Sequence, residues 1–285
     1  MTPADASASD PRHTLEPSAR WVRARFAGQM VADSKRVLLL REPGQVPVYY
    51  FPRADVRAEA LATAGHATPC PRDGATCWTV RVGDRAAEHA AWGYPAPPAD
   101  RRALRDHVAF EWAKMDAWFE EDDEVYVHAR DPYKRVDVLH SSRHVRVVVA
   151  GEIVADTRRP SILFETGLPT RYYVPKADVR MDLLEPTETE TRCPYKGLAS
   201  YYSVRVGATG IRDIAWCYRH PIPECSKIEN LVCFFDERVD AVYVDGQLEP
   251  RPRTRWSVPE PPGTSAGSTP DRQPGGPARV PAGPP

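Results

Sequence analysis

The chain has 285 residues, with 38 Lys and Arg against 39 Asp and Glu, so its net charge is close to zero. Charges of both signs are mixed along its length, which excludes the clustered basic face that nucleic acid requires. No apolar run is long enough to span a membrane, and the first 18 residues lack the basic start and apolar core of a signal peptide, so the expected location is the cytoplasm.

Residues 1–19 are polar and rich in Ala, Ser, Asp and Pro, and read as a disordered tail. Val22–Phe26 is a short strand followed by Ala27-Gly28, a hairpin turn, with Val31-Ala32-Asp33 returning. Residues 37–40 and 48–51 read as further strands, the second aromatic and closed by Pro52. Val80-Arg81-Val82 alternates as a half-buried strand does. From Asp100 the spacing of Leu104, Val108, Trp112, Met115, Trp118 and Phe119 predicts one amphipathic helix capped by Asp100. A last strand at Val125-Tyr126-Val127 follows. Residues 131–144 read as an ordered linker, with Val136, Val138 and Leu139 as anchors.

The same order then repeats. Phe26-Ala27-Gly28 overlies Val149-Ala150-Gly151, Glu42 overlies Glu165, Tyr49-Tyr50 overlies Tyr172-Tyr173 and Cys70-Pro71 overlies Cys193-Pro194, all at an offset of 123. After a one-residue slip, Ala91-Trp92-Gly93-Tyr94 falls on Ala215-Trp216-Cys217-Tyr218. A repeat of this length is a duplicated domain. Ile228, Leu231, Val232 and Phe235 predict the second copy's helix, and Ala241–Val244 its last strand. The expected organisation is a first domain over 20–130, the linker over 131–144, a second domain over 145–250, and a disordered Pro- and Gly-rich tail over 251–285.

The copies differ most at Cys193-Pro194-Tyr195-Lys196-Gly197, whose counterpart is Cys70-Pro71-Arg72-Asp73-Gly74. Lys196 stands three residues from Cys193. A nearby ammonium lowers a thiol's pKa and an apolar wall lowers a lysine's, so either could become a nucleophile. The competing reading makes Lys196 a surface charge and Cys193 a small core residue; if Lys196 serves the site, Lys196→Ala is expected to cost little stability but to abolish ligand binding or turnover. Glu165 and Arg171 could fix the Gly-Leu-Pro turn between them or grip a polar ligand; Arg171 becomes Val48 in the first copy, which makes it the better ligand contact. Tyr173, Tyr202, Trp216 and Tyr218 are either core or the walls of one pocket, with Lys196 and Arg171 at its rim. His220 has no counterpart in the first copy. The six cysteines include no Cys-x-x-Cys pair and read as free thiols, so no metal and no cofactor is expected.

The run Cys-Pro-Tyr-Lys-Gly-x-Ala-Ser-Tyr from Cys193, with Phe164-Glu165-Thr166-Gly167-Leu168-Pro169-Thr170-Arg171-Tyr172-Tyr173 before it and Ala215-Trp216-x-Tyr218 after it, resembles a bacterial and fungal family catalogued as domain of unknown function 427. The resemblance covers both copies. It implies a mainly β (α+β) architecture: two tandem β-tent domains of antiparallel sheets, each with one C-terminal helix. Relatives in the wider fold hold zinc with two Cys-x-x-Cys pairs, which this chain lacks, and no Gly-Ser loop with paired aspartates supports nucleotidyl transfer.

The expected function is binding of a small polar or anionic molecule in an aromatic-lined pocket of the second domain, with Lys196 or Cys193 as the only reactive groups. The alternative is a non-catalytic module that recognises a peptide or modified side chain. A small molecule is the expected partner, not nucleic acid or a membrane, and a homodimer is left open.

Overall fold

The computed structural model describes residues 13–63 and 70–257. Of the tails expected over 1–19 and 251–285, residues 1–12 and 258–285 lie outside the described residues. The chain divides into two compact units at Asp131 and Pro132. Both are mainly β, built from antiparallel sheets, and share one plan.

In the first unit a seven-stranded sheet runs in the order Thr14–Pro17, Leu38–Arg41, Val48–Pro52, His107–Phe110, Arg85–Gly93, Thr76–Val82 and Leu61–Thr63. A four-stranded sheet runs Asp123–Val125, Ala117–Glu120, Val22–Phe26 and Gln29–Ser34. In the second unit Val136–His140, Ser161–Glu165 and Arg171–Tyr173 form one sheet, and Val232–Phe234, Thr209–Pro221, Gly197–Val206 and Leu184–Cys193 another. A single bridge between Val174 and Val232 joins them, restoring the first unit's seven-strand order. Gln247–Leu248, Ala241–Val244, Val145–Val149 and Glu152–Thr157 make the matching four-stranded sheet.

Local chemistry explains the hairpins that open each unit. Ala27-Gly28 and Ala150-Gly151 form two-residue turns with φ of 48° and 76°, and 51° and 80°. Glycine takes the left-handed region freely, so both turns match the twist of their strands. The strands then bury alternate residues: Val22, Ala24 and Phe26 in one unit, Val145, Val147 and Val149 in the other.

Three expectations are corrected. The helix expected from Asp100 does not form: Ala99–Leu104 and Trp112–Lys114 are short 3-10 turns, and His107–Phe110 and Ala117–Glu120 are strands. In the second unit Pro223–Ile228 is a 3-10 turn and Val232–Phe234 a strand, and no α-helix occurs among the described residues. The reason is that Val108, Ala109 and Phe110 belong to a central strand buried on both faces. Such strands read as unbroken apolar runs, and this one fell on a helical spacing. Asp100 caps nothing; it lies within the 3-10 turn.

The second correction concerns limits. Thr14–Pro17 pairs with Leu38–Arg41, and Val136–His140 pairs with Ser161–Glu165, so part of the expected tail and linker is sheet. Beyond residue 250, Trp256 packs on the second core. The third concerns thiols: Cys70 and Cys77 are joined in a disulfide, leaving Cys193, Cys217, Cys225 and Cys233 free. A seven-residue spacing carried no motif that would have announced the bridge. No helix among the described residues is long and apolar enough to cross a membrane.

Both units keep one polar contact in the core. Trp92 Nε1 donates to the Tyr50 hydroxyl at 3.2 Å, and Trp216 Nε1 to the Tyr173 hydroxyl at 3.2 Å. Each pair meets edge to face with ring centroids 6.3 Å apart. Trp216→Phe leaves the buried Tyr173 hydroxyl without its donor and should destabilise the second unit by about 1–3 kcal/mol. Urea titration read by hydrogen exchange over residues 197–221 checks this; an unchanged midpoint would refute it.

Candidate functional site

The Cys193-to-Gly197 turn is shaped by its backbone. Cys193 pairs with Gly197 across the hairpin, and Gly197 has φ of 110°. A Cβ there would sit 3.2 Å from the His220 carbonyl oxygen, so glycine is required. The Lys196 carbonyl accepts from the Ile222 N–H at 3.0 Å. This fixes Lys196 with its side chain fully buried, its Nζ donating to Glu165 Oε2. Lys134 Nζ holds the other oxygen, Oε1, at 2.9 Å. One carboxylate thus lies between two ammonium groups.

Burial pulls the Lys196 ammonium down, but the neighbouring Cys193 and Glu165 outweigh it and raise its pKa above the ordinary lysine value. Lys196 is therefore a fixed cation. Cys193 is the one partly exposed free thiol among the described residues, whereas Cys217, Cys225 and Cys233 are buried. Burial pushes the Cys225 thiol up to about 11 in spite of nearby Lys196.

Arg171 is also fully buried. Its Nη1 and Nη2 donate to Glu237 Oε2 and Oε1 at 2.9 and 2.6 Å, a bidentate pair. Asp236 Oδ2 stands 3.5 Å from the same guanidinium, and the Trp216 ring lies 5.8 Å away. Glu237 Oε1 also accepts from Thr254 Oγ1 at 2.7 Å, which ties down the chain beyond residue 250.

The structure thus brings Lys196 and Glu165 together, and Arg171, Tyr173 and Trp216 together. Tyr173 and Tyr218 are fully buried, and Tyr202 reaches Cys217 Sγ at 3.8 Å. His220 stands apart at the surface, its side chain 91% exposed and 3.9 Å from Glu229. Lys196, Trp216 and Tyr218 are packed as core and do not surround an open hollow. Among the described residues no group of three His, Cys, Asp or Glu side chains is placed to hold a metal ion.

A cleft of about 640 Å³ opens elsewhere in the second unit, behind Arg171. Its wall includes Tyr172, Asp236, Asp240, Val242, Glu249 and Arg251. Tyr172 follows Arg171 on the strand, and successive strand residues face opposite ways, so Tyr172, itself largely buried, reaches the cleft wall while Arg171 is enclosed. Burial pushes the Asp236 carboxyl up to about 7, with Arg171 opposing and Glu237 adding to the shift. Burial likewise raises the Tyr172 hydroxyl to about 12, reinforced by Glu249.

The first unit has different groups at these positions. Val242 pairs with Val147 as Trp118 pairs with Ala24, and the Phe235 N–H reaches Ile214 as the Glu111 N–H reaches Ala90. Trp118 and Trp112 are thus the equivalents of Val242 and Asp236, and they stack with centroids 4.3 Å apart. Where the first unit has two indoles, the second has a valine, a carboxylate and a cleft. Sequence reasoning missed Asp236, Glu237 and Lys134. A residue-by-residue comparison of the copies held the signal, but the helix expected over residues 100–119 hid it.

Lys196→Ala leaves Glu165 with one partner and a cavity in the core. The loss should be about 3–5 kcal/mol, contrary to the small cost expected from sequence. Arg205→Ala, which breaks the exposed pair with Glu185, should cost at most about 1 kcal/mol. Equal midpoints for the two variants in urea would overturn the assignment of Lys196 to a buried network.

Comparison with known proteins gives one family. A search of curated proteins returns no match. A family model described as "Domain of unknown function (DUF427)" matches residues 14–121 and again 137–245, most of the chain and both units. The chain belongs to the DUF427 family, as a tandem member with two copies of its domain.

Proposed function

We propose that the second domain binds a small polar molecule in the cleft beside Arg171, and that the first domain is a copy without that site. The observation that carries this reading is the exchange of the Trp112–Trp118 stack for Asp236 and Val242. A volume near 640 Å³ lies within the usual range for small-ligand pockets, which combine apolar walls with a few oriented polar groups. Tyr172 and Val242 supply the apolar part; Asp236 and Glu249 supply acceptors. Arg171 acts from behind the wall, where it orients Asp236 instead of touching ligand.

The Cys193 thiol is a second candidate group, favoured by its partial exposure beside the Lys196 ammonium. In this reading Lys196 is a positioning charge, not a nucleophile, because a buried and ion-paired ammonium has no free lone pair. Neither Lys196 nor Arg171 is open to an anionic ligand, since each is already neutralised by a buried carboxylate.

Val242→Trp restores the first unit's side chain at one cleft position. Native mass spectrometry after incubation with a metabolite extract should show a small molecule retained by the wild type and lost from Val242→Trp, with both proteins folded. Equal retention, or none by either protein, would contradict the cleft as the binding site.

A further inference from the structure

The cleft's wall also indicates the charge of its occupant. Three carboxylates, Asp236, Asp240 and Glu249, face one cation, Arg251. The Arg251 guanidinium is engaged by the chain itself, donating to the carbonyl oxygens of Val239 and Asp240 at 2.8 and 3.0 Å. Arg171 gives both terminal nitrogens to Glu237 and meets Asp236 only at 3.5 Å, and Arg143, whose charge acts on Tyr172 and Glu249, is bound to Asp245 at 2.8 Å. Asp236 therefore has its side chain nine-tenths out of water, on the cleft wall, with only a second-best share of one guanidinium. A carboxylate that has lost its water and lacks a close partner attracts a cation strongly.

The first unit provides an independent indication. At the equivalent positions it has Trp112 for Asp236 and Val125 for Glu249, so neither of these cleft-wall carboxylates is repeated in the first unit. Apolar surface from Tyr172, Val242 and Pro250 lies beside them. That combination suits a molecule with a charged head and a carbon stem.

Resting on the cleft reading above, we propose that the ligand is a small organic cation, an alkylamine or guanidinium compound, whose head lies between Asp236 and Glu249 and whose stem lies on Tyr172 and Val242. Binding needs the ionised form of Asp236. Its proton affinity is set by burial, by Arg171, which favours ionisation, and by Glu237 and Glu249, which oppose it. Asp236 gains a proton as pH falls through about 7, so affinity should decrease between pH 8 and 6.

Isothermal titration of the full chain with 1,5-diaminopentane, agmatine and, as a length-matched anion, glutarate tests the proposal. At least one amine should bind saturably at pH 8 and glutarate should not. Asp236→Asn and Glu249→Gln should each weaken that binding by at least about tenfold, and Val242→Trp should abolish it. Amine binding that survives these changes would place the site elsewhere and overturn the proposal. If Val242→Trp removes a metabolite captured from extract while glutarate binds or both amines fail, the cation assignment falls and the cleft reading stands. If neither extract nor probes give a Val242-dependent ligand, both fall.

Discussion

The second domain is organised around the pairing of Arg171 with Glu237. A guanidinium without water must have a carboxylate in register with it, and the bidentate fork fixes both its position and its angle. This pair ties the strand Arg171–Tyr173 to the turn after Val232–Phe234 and, through Thr254 on Glu237, to the chain beyond residue 250. Because Glu237 takes both terminal nitrogens, Asp236 is left as the weaker partner of the same cation. One interaction therefore both closes the domain and leaves a carboxylate at its surface that the protein does not fully neutralise.

Buried ion pairs are weak evidence for stability, since apolar residues of similar volume often serve as well. The first domain illustrates this. With Val48 at the position of Arg171, and Trp112 and Ala113 at those of Asp236 and Glu237, it builds the same two sheets without the pair. Its Glu42 uses a half-exposed Arg101 at 2.8 Å where Glu165 uses Lys196 and Lys134. What both domains hold in common is the Tyr–Trp contact, the Ala-Gly hairpin and the strand order. These define the fold. The two charge networks and the cleft are additions to it.

Much of the fold was legible because its signals are local. Alternating burial in Val22–Phe26 and Val145–Val149, and glycine in the turns after them, follow from period and steric freedom alone. The duplication was legible for the same reason, as a register of identical residues. The region after Asp100 was not, because a strand buried on both faces has no alternation and its neighbours happened to complete a helical stripe. The disulfide joining Cys70 to Cys77 was hidden by a spacing without a motif. For the candidate site, most of the residues singled out from Glu165 to Tyr218 are interior, in one group around Lys196 and another around Arg171, with Cys193 partly exposed. Burial of Lys196 and Arg171 depends on Lys134, Glu165 and Glu237, partners 31 to 66 residues away, and long-range pairing leaves no periodic trace. Asp236 escaped notice because an isolated aspartate in a turn looks like any solvated one.

Asp236 is thus a desolvated, undercompensated carboxylate on the wall of an open cleft. Its side-chain carboxyl can be followed directly by NMR in protein labelled with ¹³C at aspartate, with Asp236→Asn identifying the resonance. In the free protein it should titrate at about 7, moving lower when a cationic ligand is bound. A midpoint near 4, the ordinary value for a hydrated aspartate, would contradict it.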